Sequence, residues 1–244
     1  MAAFFMIAFS NSAFSASSAF ESPATQVSLV ELYTSEGCSS CPPANEWVNK
    51  LLPAAGLWKK FIPVVFHVDY WDRLGWKDPF SSAIYTQRQE EYVNAWGGST
   101  LYTPGMVLNG EAWSDWSSAR EVPGSSQEAG VLKLEVLGEG RFRLEFRPAS
   151  GAAEKWIVHA ALLGFGIESK VTRGENSGRL LKHEFTVLDY AQAKAEGNPV
   201  VSELRLTKPS GLAEKGVEPK AQGVTAWVSR ASDPTPVQAV GGYL

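Results

Sequence analysis

Apolar positions recur along this chain at two periods, and the change between them divides it. From Gln26 to Tyr33 a Val- and Leu-rich stretch alternates, which predicts a β-strand. Pro42 to Leu52 places Ala44, Trp47, Val48 and Leu51 at helical spacing. Lys59 to Tyr70, KKFIPVVFHVDY, is a continuous apolar run ending in polar groups, the pattern of a strand buried on both faces. Two strands separated by a helix predict a parallel pair, with functional groups gathered at the carboxyl ends of the strands. Ser81 to Trp96 is helical through Ile84, Arg88, Tyr92 and Trp96, opened by a serine cap and closed by Gly97-Gly98. Leu101 to Gly110 reads as Thr-Pro, a short strand and an Asn-Gly turn.

From about Val131 the period becomes two. VLKLEVLGEGRFRLEFRP alternates on both sides of Gly138-Glu139-Gly140, a hairpin by pattern, and further alternating runs follow at 155–163, 167–171, 181–188, 200–206 and 223–229. Short strands at this spacing predict a small antiparallel β-rich, sandwich-like domain. The expected organisation is α/β: a first domain over residues 24–122, a linker at 123–130 and the β-rich domain over 131–244. Gly174 to Gly178 and His183 are expected on turns or strand ends, as polar groups facing the first domain.

Residues 1–20 carry no charge. An apolar block from Ala2 to Phe9 precedes small residues, with small-x-small sites ending at Ser18 or Ala19. This predicts a signal peptide and a periplasmic or secreted protein. The block is too short to span a bilayer and no later run is long enough, so a membrane-spanning chain is not expected. A length of 244 residues with 44% apolar composition suffices for one large core or two small ones. The net charge of -4, with basic residues scattered among acids, argues against nucleic acid as a partner.

The only two cysteines, Cys38 and Cys41, sit in the turn between the first strand and the first helix. Ser39 or Ser40 suits the N-cap and Pro42 the first turn. Free amides and the positive end of the helix dipole favour a thiolate at Cys38, so Cys38 is the expected attacking sulfur and Cys41 the resolving one. Half of a zinc site and an inert bridge are the other readings. A zinc site would need distant ligands from His67, His159 and His183, and a structural disulfide usually closes a longer loop.

His67 and Asp69, at the end of the second strand, are candidates for a proton carrier or metal ligand and the acid that orients it. Trp71 and Trp76 belong to a turn-rich aromatic loop, a candidate rim for a substrate peptide. Thr103-Pro104 opens the third strand. A cis bond there would present the Thr103 backbone to an extended substrate beside the sulfurs.

The order strand, C-x-x-C, helix, parallel strand, helix, Thr-Pro and strand resembles the thioredoxin superfamily. The segments VELYTSEGCSSCPPAN, FHVDYWDRLGWKDPF, TQRQEEY, YTPGMVLNG and GENSGRLLKH resemble more closely the secreted bacterial proteins grouped as the domain of unknown function 1223 family. The resemblance implies a thioredoxin-like first domain with Cys38 attacking, Cys41 resolving and Pro104 as the cis-proline. It places Glu31 as a buried acid that takes the Cys41 proton. Ser39-Ser40 stands where thioredoxins carry Gly-Pro.

Three functions follow from these readings. The first is an extracytoplasmic thiol–disulfide oxidoreductase that acts on protein or small thiols, with a redox partner and no cofactor beyond the Cys38–Cys41 disulfide. The second is a soft-metal (copper) module holding the ion with Cys38, Cys41 and His67. The third is an interaction module carried by the β-rich part.

Overall fold

The structure is a computed structural model that describes residues 18–150 and 154–244. The expected signal segment lies outside the described residues up to residue 17. Its end is already structure, because β1 (Ala19–Glu21) pairs antiparallel with β6 (Gly130–Gly138). The Phe20 ring rests on Gly242, where a Cβ would collide with it.

The predicted first strand is β2 (Ser28–Thr34), buried along its whole length. Its alternation divides two partners. Thr34 accepts a hydrogen bond from Asn45 of α1 (Pro42–Asn49), while Glu31 faces Arg88 and Tyr92 of α2 (Ala83–Ala95). The two helices therefore cover opposite faces of the strand. Helix α1 starts one residue after Cys41, which occupies the N-cap without a side-chain bond. The expected cap at Ser39 or Ser40 is not formed. Prolines at the first two helical positions lack the amides that a cap would satisfy.

β3 (Phe61–His67) lies parallel to β2, as the strand–helix–strand pattern predicts. β4 (Gly105–Leu108) runs antiparallel on the other side of β2, followed by β5 (Glu111–Ala112).

The α/β expectation is corrected at this level. Among the described residues the chain is β-rich, with two α-helices and fourteen strands, most of them antiparallel. β8 (Lys155–Phe165), β11 (Thr186–Glu196), β13 (Ala221–Arg230) and β14 (Asp233–Tyr243) continue the first-half sheet rather than forming a sheet of their own. The order is β14-β13-β8-β11-β3-β2-β4-β5, joined where β11 lies parallel to β3. Pairing thus runs across residues 123–130, and the two halves share one sheet. The reason is that β3 still had an unpaired edge. Buried on both faces, it takes a strand from the second half there.

A sandwich-like part is present nonetheless. β6, β7 (Arg141–Pro148) and β12 (Val200–Arg205) form a second sheet with β1. Leu132, Leu144 and Phe146 from this sheet pack against Trp156, Val158, Ala226 and Val240 of the large one, a core between two sheet faces. The run expected at 181–188 divides into β10 (Leu180–His183), paired with β9 (Ile167–Lys170), and β11. The break falls at Phe185, whose φ is 57°. No helix among the described residues is long and apolar enough to cross a membrane.

Candidate functional site

Cys38 and Cys41 are joined as a disulfide across the turn that enters α1, with Cα atoms 5.5 Å apart. Both are fully buried, beneath the exposed Ser39 and Ser40. The Ser40 hydroxyl lies 3.3 Å from Cys38 Sγ, and the Thr103 carbonyl oxygen lies 3.9 Å from the same sulfur. The Thr103-Pro104 bond is cis. Trp71 donates its indole N–H to Thr103 Oγ1 at 2.8 Å. Its Cβ packs on Gly37, where an added Cβ would come within 3.3 Å. Cys38, Cys41, Thr103, Pro104 and Trp71, scattered over sixty-odd positions of sequence, are thus brought into one place.

Glu31 is not part of that group. It is fully buried on the α2 side of the sheet and accepts bonds from Arg88 Nε (2.6 Å) and Nη2 (3.0 Å) and from the hydroxyls of Tyr92 and Tyr33 (2.9 Å for Tyr33). Arg88 stacks over Trp227 with 4.8 Å between guanidinium and ring. Burial works against the Arg88 charge, but Glu31 and the surrounding tyrosines outweigh it and hold the guanidinium protonated. Burial, then the Glu31 charge, pushes the Tyr33 phenol well up. The geometry makes Glu31 half of an internal ion pair rather than an acceptor for the Cys41 proton.

The acid that orients His67 is Asp78, not Asp69. His67 Nδ1 lies 2.7 Å from Asp78 Oδ2, and both groups are buried. Asp69 instead accepts from the Thr86 hydroxyl at 2.6 Å, because the strand ends at His67 and its two-residue period no longer applies. Burial pulls the His67 pKa down. The Asp78 carboxylate outweighs it, with Glu36 and Asp72 adding to the effect, so the imidazole is held above its ordinary range. Asp78 is pushed up by burial but more strongly down by His67 and by the N–H groups of Glu36 (2.8 Å) and Phe80 (2.9 Å).

Glu36 repeats the arrangement in mirror. His183 Nε2 lies 2.9 Å from Glu36 Oε1, and the Trp76 indole donates to Oε2 at 2.7 Å. The two imidazoles meet edge to face, with 5.1 Å between ring centroids. Trp76, expected on a substrate rim, therefore holds the segment two residues before Cys38. The structure does not bring Cys38, Cys41 and His67 together as a ligand set. Among the described residues no three His, Cys, Asp or Glu side chains group as a metal cluster. His159 is a core residue, stacked on Trp227 and bonded to Tyr190 and Ser229.

The 174–178 turn and His183 do reach the dithiol loop. Asn176 uses both amide hydrogens on the carbonyls of Glu36 (2.8 Å) and Cys38 (2.9 Å), and the Ser39 N–H donates to Glu175 Oε2 at 3.0 Å. Asn176→Ala is expected to cost about 1–3 kcal/mol, since two loop carbonyls lose their donor; urea unfolding reads it. Glu175 keeps a negative charge beside the turn that would otherwise favour a Cys38 thiolate. Its carboxyl is held below its ordinary range by the bonds from Ser39. Glu175→Gln is expected to lower the Cys38 pKa in the reduced protein by roughly half a pH unit, followed by thiolate absorbance. Neither Asp78 nor Glu36 stands out in sequence. The available signal was Asp78-Pro79 punctuation and a carboxylate two residues before a cysteine.

These features define a β-rich protein of two stacked sheets that carries a disulfide at the head of a short helix. The family described as "Protein of unknown function (DUF1223)" matches residues 29–228, and the chain belongs to it. Of solved structures, a structural genomics crystal structure of a protein from Agrobacterium tumefaciens is similar at 23% identity with a TM-score of 0.59. That match covers 90% of this chain and 94% of the other. HBP35 of Porphyromonas gingivalis is similar at 14% identity with a TM-score of 0.55, covering 91% and 76%. These likenesses concern the fold alone. No functionally curated protein matches the chain in sequence.

Proposed function

We propose that this protein is an extracytoplasmic thiol–disulfide oxidoreductase that exchanges its Cys38–Cys41 disulfide with protein or small-molecule thiols. The observation that carries the reading is the closed pair at the N-terminus of α1, with the Thr103 carbonyl 3.9 Å from Cys38 Sγ. Support comes also from the element order: β2, the cysteine pair, α1, a parallel β3, α2 on the opposite face, Thr103-Pro104 and an antiparallel β4. We read this part of the sheet as a thioredoxin-like unit built into a larger β-rich protein. The extracytoplasmic setting rests on the uncharged, apolar N-terminus.

In the oxidised protein a substrate thiolate attacks Cys38 Sγ. The Cys38–Cys41 bond breaks, and its electron pair leaves on Cys41 Sγ, which takes up a proton. A second substrate thiolate then attacks the substrate sulfur of the mixed disulfide, and Cys38 leaves as a thiolate. The substrate dithiol has become a disulfide and the protein has gained two electrons; the reverse steps reduce a substrate disulfide. The helix N-terminus stabilises the departing or attacking Cys38 thiolate. Because both sulfurs are covered, a substrate reaches Cys38 by displacing the exposed Ser39-Ser40 segment.

The test is the thiolate absorbance of Cys38 against pH in reduced Cys41→Ser protein. A midpoint well below about 8.5 is expected. Burial alone pushes a thiol upward, so a midpoint at or above that reference would remove the reading.

A further inference from the structure

A cleft of about 790 Å³ opens between the loop after β3, the β9–β10 hairpin and the loop before β13; Trp76, Lys77, Lys170, Leu180, Lys215 and Val217 line it. The volume lies in the range of small-molecule sites. Three segments far apart in sequence each bring a lysine to it, and none of the three has an ion-pair partner among the described residues. The carboxylates at the same wall offer little compensation. Asp78 is turned inward to His67, and Glu168 lies 3.7 Å from a further cation, Lys220.

The result is a positive cleft on a chain whose net charge is -4. The three lysines at the cleft outnumber its two carboxylates, so an anion there would meet net attraction. Apolar side chains share the remaining wall with Ser81 and Ser169. Val217 is buried, Leu180 is 56% exposed, and the Trp76 indole is anchored through its N–H to Glu36.

We propose that this cleft is a binding site for a small organic anion with an apolar body. The anionic group sits among Lys77, Lys170 and Lys215, and the body lies against Trp76, Leu180 and Val217. The site stands apart from the redox reading, since nothing in it requires thiol chemistry. Its wall nevertheless touches the dithiol loop, because Trp76 holds Glu36 two residues before Cys38.

The experiment titrates the full chain with anilinonaphthalene sulfonate and with its uncharged counterpart, phenylnaphthylamine, by fluorescence. One saturable site for the sulfonate is expected, with the uncharged probe binding roughly tenfold more weakly or worse. The double variant Lys77→Glu, Lys215→Glu should weaken the sulfonate by at least about tenfold. In the unmodified protein, added salt should weaken the sulfonate and leave the uncharged probe unchanged, an arm that needs no variant. No saturable binding, equal affinity for the two probes, or sulfonate binding insensitive to both salt and the lysine changes would overturn the proposal. A Cys38 thiol with an ordinary pKa in protein that still binds the sulfonate would sink the redox reading alone.

Discussion

Arg88→Ala lowers the unfolding free energy by about 3–5 kcal/mol, the cost of leaving a buried carboxylate without its cation. Glu31 and Arg88 are both essentially inaccessible to water, and two hydrogen bonds join them. The substitution also empties the space over Trp227 that the guanidinium fills. Replacing both partners, Glu31→Leu with Arg88→Met, should recover part of the loss, the remainder being the buried Tyr33 and Tyr92 hydroxyls that lose their Glu31 acceptor. An apolar pair carries no buried charge, and one Arg88 nitrogen, Nη1, has no partner among the described residues. Urea midpoints of the three proteins check the ordering. The double variant also separates stability from chemistry. With Glu31 outside the dithiol site, the Cys38 and Cys41 titrations should be the same as in the unmodified protein. A shifted Cys41 titration would return Glu31 to the role that the thioredoxin resemblance implies.

Asp78→Asn has the second largest expected effect, and it reverses a pH dependence. In the unmodified protein the His67 pKa is raised on folding, so the stability it contributes is complete below the unfolded value of about 6.5 and is lost as pH rises through the folded one. Asp78 is lowered on folding, so its contribution is present above the unfolded carboxylate range and is lost as pH falls through its folded value. The asparagine removes the charge that outweighs burial. Only Glu36 and Asp72 then oppose desolvation, and the expected His67 pKa falls below its unfolded value. Stability near pH 6.5 should then rise with pH where it previously fell. The variant should be less stable by about 1–3 kcal/mol at neutral pH, because the Glu36 and Phe80 amides and His67 share one weaker acceptor. Denaturant midpoints measured across this range decide the sign. An unchanged slope would mean that His67 does not carry the titration.

Several elements of the fold were legible in order. β2, α1, β3, α2 and the Thr103-Pro104 strand lie where periodicity put them, and so does the β6–β7 hairpin with its Gly138-Glu139-Gly140 turn. β14 went unread, since Pro234, Pro236 and Gly241-Gly242 mask its period. Prolines are tolerated there because β14 has a single neighbour in its sheet, β13, among the described residues.

Neither acid has the partner expected of it: the role of Glu31 beside Cys41 came from the thioredoxin resemblance, and the pairing of Asp69 with His67 from periodicity. Alternation along β2 put Glu31 on one face but does not say which helix covers that face. It joined Asp69 to His67, although the strand had ended. The supports of the dithiol loop were legible only in part: the 174–178 turn and His183 were expected opposite it, while Glu36 and Asp78 were not.

What the residue order determined by itself is the local part of this protein: which stretches are strands or helices, and that both cysteines lie in the turn before α1 with two residues between them. These depend on period, turn chemistry and chain stiffness, which act over a few residues. What only the tertiary structure decided is the partnering. β3 kept an open edge and took β11 from the second half, which made one sheet of two expected domains. The same closure buried four carboxylate and imidazole groups around the loop before Cys38, where each must find an opposite charge or a hydrogen bond. His67 finds Asp78 eleven residues on, but Glu36 finds His183 from a segment more than a hundred residues away, and no local pattern records that.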